Sequence, residues 1–276
     1  MSNISAADVA KLRRMTGAGM MDCKKALEEA QGDFEKAQEL IRKRGQAIAN
    51  KRADREATEG VILAKTTADG TRGMMTALNC ETDFVAKNAD FIALSHKILD
   101  IALSNEPADL DALKETIADG KKVSDMVLEH SGITGEKFEL SFFSKIEAPA
   151  VQPYIHPGNK LATLVGFNKA GIDPQVYKDV AMQVAAMNPV SIDKEDVPEK
   201  ILAQELDIAR DQARREGKPE EMLEKIAQGK LNKFFKESTL LNQEFVKDSK
   251  LTIRQYLQSK DKALTVTGFV RFTLNT

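Results

Sequence analysis

The side chains best able to do covalent or metal chemistry are few and scattered. His96, His130 and His156 lie far apart, with no H-E-x-x-H run and no Cys/His cluster at zinc spacing. Cys23 falls inside a helical pattern and Cys80 at a strand end, so both read as buried structural thiols. "GAGMMD" starts like a dinucleotide fingerprint, but Asp22 stands where the third glycine belongs and no strand precedes it. The sequence has no G-x-x-x-x-G-K-[ST] loop to cradle phosphates and no G-x-S-x-G nucleophile elbow. Carboxylates are plentiful, yet nothing in the spacing brings a chosen pair together. No catalytic residue, metal ligand or cofactor is assigned, and an enzyme is not expected.

One stretch resists a bland account. In "NCETDFVAKNADF", residues 79–91, a strand-like run from Met74 to Leu78 gives way to Thr82-Asp83-Phe84. A large ring thus sits beside a carboxylate at an apparent turn. Read from the residues alone, Asp83 caps that turn and Phe84 packs on Phe91 in the core. The other reading leaves Phe84 outside, for a partner.

Composition narrows the classes. The chain has 276 residues, 42% hydrophobic and 30% charged, as in an ordinary soluble protein large enough for two or three modules. A net charge of −2 gives no global attraction to nucleic acid or membrane. Aromatics at 5%, with no Trp, argue against base-stacking platforms. Two distant cysteines outside any C-x-x-C pattern fit a reducing compartment. No signal-peptide core, transit-peptide composition or membrane-length apolar run is present, so a cytoplasmic location is expected.

The elements that must position these residues follow a repeated order. Residues 1–45 read as a three-helix module: Ser5 caps the first helix, "TGAG" breaks it, Gly32 stops the second and Asp33 caps the third. Residues 46–59 are highly charged and aperiodic and read as a solvated linker, the alternative for the basic run 42–55 being RNA contact. Residues 60–147 begin with a hairpin, "GVILAKTT-ADG-GMMTALN", continue through a long helix over "DFIALSHKILDIALS" and two shorter helices, and close on the strand "KFELSFFSKIE". Residues 148–276 repeat that order, from the hairpin around Pro157-Gly158-Asn159 to the closing strand "LTVTGFVRFTLN". Inserted at about 198–236 is a helical hairpin turning at Gly217-Lys218-Pro219, with Leu223, Ala227, Leu231 and Phe234, and Ile201 and Ile208, marking a narrow apolar seam. Such a charged antiparallel coiled coil protrudes and meets a partner or a second copy of the chain. The fold class is therefore α+β: a helical module, then two repeated sub-domains with antiparallel sheets and an inserted coiled coil.

Two long motifs, "TGAGMMDCKKALEEAQGDFEKA" and "CETDFVAK", together with "MQVAAMNP" and "VTGFVRF", resemble the bacterial elongation factor Ts family over nearly the whole chain. The resemblance implies a ubiquitin-associated-like (UBA-like) N-terminal module. It also implies a guanine-nucleotide exchange factor for elongation factor Tu, the GTPase that delivers aminoacyl-tRNA. Thr82, Asp83, Phe84 and Val85 match the segment that enters the GTPase and displaces its magnesium. Leu12, Met20 and Met21 match positions by which the N-terminal module rests on the GTPase, and His156 matches a tip residue reaching the partner's far domain, although Pro157 alters that turn. The sequence stops at Thr276, soon after the closing strand, so the C-terminal helix of some family members is expected to be absent. The resemblance reverses the choice for Phe84 and places the ring outside. Direct nucleic-acid binding is not expected, and a homodimer through the coiled coil stays open.

Overall fold

The computed structural model describes residues 4–52 and 54–274. Three helices open the chain: α1 (Ala6–Thr16), α2 (Met20–Glu29) and α3 (Phe34–Lys51). Ser5 and Asp8 cap α1 reciprocally, each side chain bonding the other's backbone amide, and Gly17 ends it at φ 72°. Leu12, Cys23, Ala26, Leu27 and Ala37 fill the core among these helices with no exposed surface. The Cys23 thiol, 3.6 Å from the Ala18 carbonyl, donates inward.

A hairpin follows, β1 (Glu59–Thr66) and β2 (Arg72–Cys80), then the single turn α4 (Asp83–Ala86) and the long helix α5 (Ala89–Asn105). Next come α6 (Leu110–Glu115), a two-residue ladder of β3 (Ile117–Ala118) with β4 (Lys121–Lys122), α7 (Val123–Thr134) and the strand β5 (Glu139–Glu147). The second half carries β6 (Ala150–Ile155), β7 (Leu161–Phe167), α8 (Pro174–Met187), α9 (Glu199–Arg215), α10 (Glu220–Ser238), the short β8 (Glu244–Phe245) and β9 (Asp248–Thr252), α11 (Ile253–Lys260) and β10 (Val266–Thr273).

The chain forms two compact units. One takes residues up to Leu63 with Met75–Ser144, and the other takes Ala64–Met74 with Lys145–Thr273. The tip of the first hairpin groups with the second unit because its carbonyls are used there. Gly70 accepts from the Val151 amide at 2.8 Å and Thr71 from the Ala148 amide at 2.9 Å.

Strand order bears out the repeated architecture. One sheet runs β1-β2-β5 and the other β6-β7-β10, so each is a hairpin whose second strand is central and is flanked by a strand from much later in the chain. In the second sheet both neighbours of β7 are antiparallel, with Val165 opposite Gln152 and Phe269. Strands β1 and β2 read as nearly continuous apolar runs, and both are buried along most of their length. Phe91 and Ile98 of α5 are buried, and the Phe91 ring meets Phe138 edge-on at 4.8 Å. In the second unit Val176, Val180 and Val184 of α8 pack with Phe167, Leu257 and Val266.

Two local expectations change. Helix α3 does not fade near residue 45 but continues to Lys51, because Gly45 crosses Gly132 of α7 with almost no space between backbones. A Cβ built on Gly132 would lie 2.2 Å from the Gly45 Cα and 2.7 Å from its carbonyl oxygen. Tertiary packing thus sustains a helix whose own sequence is only charged and weakly periodic. In the α9–α10 hairpin, the seam on α9 is not marked by Ile201 and Ile208. Ile208 is exposed, while Ala209 and Ala213 are buried against Leu223, Ala227 and Leu231. Alanines let the helices approach, and Arg210–Glu224 (2.9 Å) and Arg214–Glu220 (3.1 Å) bridge the flanks.

Within the second unit, buried Asp179 accepts three hydrogen bonds, from Lys247 Nζ, the Tyr256 hydroxyl and Gln175 Nε2, each at 2.7 Å. Burial pushes its carboxyl up, but Lys247, Tyr256 and Gln175 together outweigh that and hold it below the usual range.

Two stability measurements test this packing. Gly132→Ala forces backbone apart and lowers stability by about 1–3 kcal/mol, whereas Gly45→Ala, whose Cβ would meet Gly132 at 3.2 Å, costs clearly less. Equal melting temperatures for the two variants contradict the close crossing. Asp179→Ala destabilises at pH 7 by about 2–3 kcal/mol, since the Tyr256 hydroxyl and Lys247 lose their acceptor. The folded pKa is depressed, so this contribution is present above the unfolded value of about 3.9 and is lost as pH falls through the folded one. The gap in melting temperature between parent and variant therefore holds from pH 7 to pH 5 and narrows below about pH 4; a gap independent of pH contradicts it.

Candidate functional site

Strand β2 ends at Cys80, and the chain turns directly into α4. Thr82 is extended (φ −124°, ψ 153°) and caps the turn, its hydroxyl oxygen accepting from the Val85 amide at 3.4 Å. Asp83 occupies the first helical position, where the unpaired amides favour a negative charge. It also pairs with Lys87 at 2.6 Å; both side chains are well exposed, so the pair adds little stability. Asn88 then caps α5 through the Asp90 amide.

This geometry decides the position of Phe84. The ring is 83% exposed, against 2% for Phe91, so Phe84 does not pack on Phe91 and points from a one-turn helix into solvent. Ala86 is the buried residue of that turn, and Val85 is half-buried. Four residues of helix cannot hold themselves, and here the support comes from two carboxylates. Glu136 accepts from the Thr82 amide at 3.1 Å and from its hydroxyl at 2.7 Å. Glu81 accepts from Arg52 at 3.0 and 3.1 Å, from Arg55 at 3.0 Å and from the Lys137 amide at 2.7 Å. Burial pushes the Glu81 carboxyl up, but the Lys137 amide and the two arginines outweigh it and hold the group below its usual range. The Cys80 thiol donates to the Thr82 carbonyl at 3.2 Å. Burial, then the charge of Glu136, pushes it up to about 12, which makes it an inert part of the turn.

The other positions named from sequence divide. Met20 and Met21, at the start of α2, are 42% and 63% exposed, while Leu12 is fully buried inside the helical module. Leu12 is thus a core residue, and of the three positions only the methionines present side-chain surface. His156, in the second unit, is exposed on the β6–β7 turn, its Nδ1 3.0 Å from the Tyr154 hydroxyl. Thr82 to Val85 are brought together on one turn, in the same unit as the two methionines.

Sequence reasoning missed the residues that hold the turn. Glu81 stood inside the quoted motif, but Arg52 and Arg55 were read as solvated linker, and Glu136 carried no signal at all. Among the described residues no group of three or more His, Cys, Asp or Glu could hold a metal ion, and no helix is long and apolar enough to cross a membrane. The arrangement holds an aromatic ring in solvent beside a carboxylate, on a turn braced at Glu81 and Thr82.

Similarity to known proteins runs over nearly the whole chain. The family model described as "Elongation factor TS" matches residues 81–276. Elongation factor Ts of Porphyromonas gingivalis is 56% identical over 269 residues, 97% of each chain. That of Amoebophilus asiaticus is 55% identical over 270 residues, 97% of this chain and 98% of its own. That of Christiangramia forsetii is 50% identical over 276 residues, 99% of this chain and the whole of its own. A match over most of the chain, at half identity or better, carries one conclusion: the chain belongs to the elongation factor Ts family.

Proposed function

We propose that this protein is the guanine-nucleotide exchange factor of cytoplasmic translation elongation, acting on elongation factor Tu. It binds the GDP-bound GTPase, drives the Thr82–Val85 turn toward the magnesium site and promotes GDP release, so that GTP can enter. The observation that carries this reading is the Phe84 ring, exposed on a turn whose entry is fastened at Glu81 and at Thr82.

Exchange of this kind needs no covalent step. The factor binds one state of its partner better than another, and if it weakens nucleotide binding, nucleotide weakens its own binding by the same ratio. Phe84 enters a pocket that opens when the partner's magnesium site is distorted. Burying that ring is worth about 1.5–3 kcal/mol, or roughly one to two orders of magnitude in the equilibrium. Asp83 acts beside it, by repulsion near the phosphates or by competing for the hydrogen bonds that orient magnesium's waters. Magnesium keeps several waters and few protein ligands, so a modest disturbance frees it. Met20 and Met21 give the helical module an apolar contact with the GTPase, and His156 serves as the contact of the second unit.

The basic run 42–55 is a poor RNA surface. Lys43 pairs with Glu39, Arg44 with Glu29, and Arg52 and Arg55 with Glu81, so much of its charge is already neutralised within the chain.

Phe84→Ala should slow release of fluorescent GDP from elongation factor Tu by about tenfold or more, with the melting temperature unchanged because the ring is exposed. Parent-like release from a variant that still forms the complex would falsify the wedge.

A further inference from the structure

Arg52 and Arg55 lie just past the end of α3, in the stretch that the sequence reads as a solvated linker. They are instead bonded to the foot of the wedge. The Arg55 amide donates to the Arg52 carbonyl at 3.0 Å, and this tight bend presents both guanidinium groups to one carboxylate, Glu81. That carboxylate is 13% exposed, and its oxygens take four hydrogen bonds, three from arginine and one from the Lys137 amide. It is the residue directly before Thr82. A largely buried carboxylate that loses its cationic partners becomes an uncompensated charge, and the backbone carrying it shifts toward water. Here that backbone is the base of a single helical turn with one buried side chain of its own.

The same α3 is the last helix of the module that carries Met20 and Met21, and it crosses α7 at Gly45 and Gly132. The carboxylate of Glu136, which fastens Thr82, lies just beyond the end of α7. The ends of both helices therefore converge on Glu81 and Thr82, the two residues at the entry to the turn that carries Phe84. We propose that Arg52, Arg55 and Glu81 are positioning residues for nucleotide exchange: the charged strap fixes the Thr82–Val85 turn to the end of α3, so that docking of the helical module sets the angle at which Phe84 enters the partner. This rests on the exchange reading above. The strap acts on the step after docking, and it acts through Phe84.

The test is a double-mutant cycle on the full chain. Release of fluorescent GDP from elongation factor Tu is followed across a range of factor concentrations for the parent, Arg52→Ala/Arg55→Ala, Phe84→Ala and the triple variant. Circular dichroism and melting confirm that each is folded. The strap variant should lower the saturating release rate by about fivefold, a size usual for coupling between neighbouring groups, while the half-saturating concentration stays within about twofold. Added to Phe84→Ala, the same two substitutions should change the saturating rate by less than about twofold, because the ring they position is gone. Arg52→Lys/Arg55→Lys should recover part of the loss, since charge is kept and the fork geometry is not. An equal loss in both backgrounds overturns the proposal, as does no loss in the parent background. So does a loss confined to the half-saturating concentration, which would make the arginines direct partner contacts. If Phe84→Ala alone leaves release unchanged, the wedge reading itself fails, and that outcome is distinct from the others.

Discussion

An exposed benzyl ring is useful only if something else holds it still. Phe84 gives up the burial that its type normally seeks, and the four-residue helix beneath it has too few hydrogen bonds to define its own direction. Glu136 on one side and Glu81 on the other convert that weak turn into a fixed projection, each carboxylate accepting from side-chain and backbone donors at once. Most of the first unit can be understood as scaffolding for those two carboxylates. Strand β2 brings Glu81 to its place, and the close crossing of α3 with α7 brings Arg52 and Glu136 toward it.

On the proposed reading, the physical logic is that of differential binding. Surface placed in water on the free protein is free energy held back until a partner covers it. A factor that spends it on one nucleotide state of the partner shifts the equilibrium by that difference and no more. This is why the chemistry absent from the sequence does not matter. On the proposed exchange reading the work is done by shape and by a few kcal/mol of apolar contact, which asks for no reactive histidine or thiol.

Much of the fold was legible in the residues, and the reasons differ from element to element. Helix α5 announced itself through Phe91, Leu94 and Ile98 at helical spacing, and the two hairpins through turn residues between apolar runs. The shared strand order of the two sheets followed from the repeated order of elements. The α9 seam was misplaced because hydropathy points to isoleucine, whereas close helix packing uses Ala209 and Ala213. The end of α3 was misplaced because its last turns are charged and aperiodic, and the packing that sustains them, Gly45 against Gly132, lies far off in sequence. Leu12 matched a contact position in the motif, yet its helical spacing from Val9 already marked the core face. The site was less legible still. Apolar patterning alone buries Phe84, and the pairing of Arg52 with Glu81 spans a separation that no local rule sees.

The central claim is that Phe84 discriminates between states of the partner. The most direct measurement is calorimetric affinity of the parent and Phe84→Ala chains for nucleotide-free and for GDP-bound elongation factor Tu. The account predicts that the substitution weakens binding to the nucleotide-free form by about tenfold and leaves binding to the GDP-bound form nearly unchanged, so the ratio of the two collapses. An unaltered ratio, with both affinities moving together or neither moving, would contradict it.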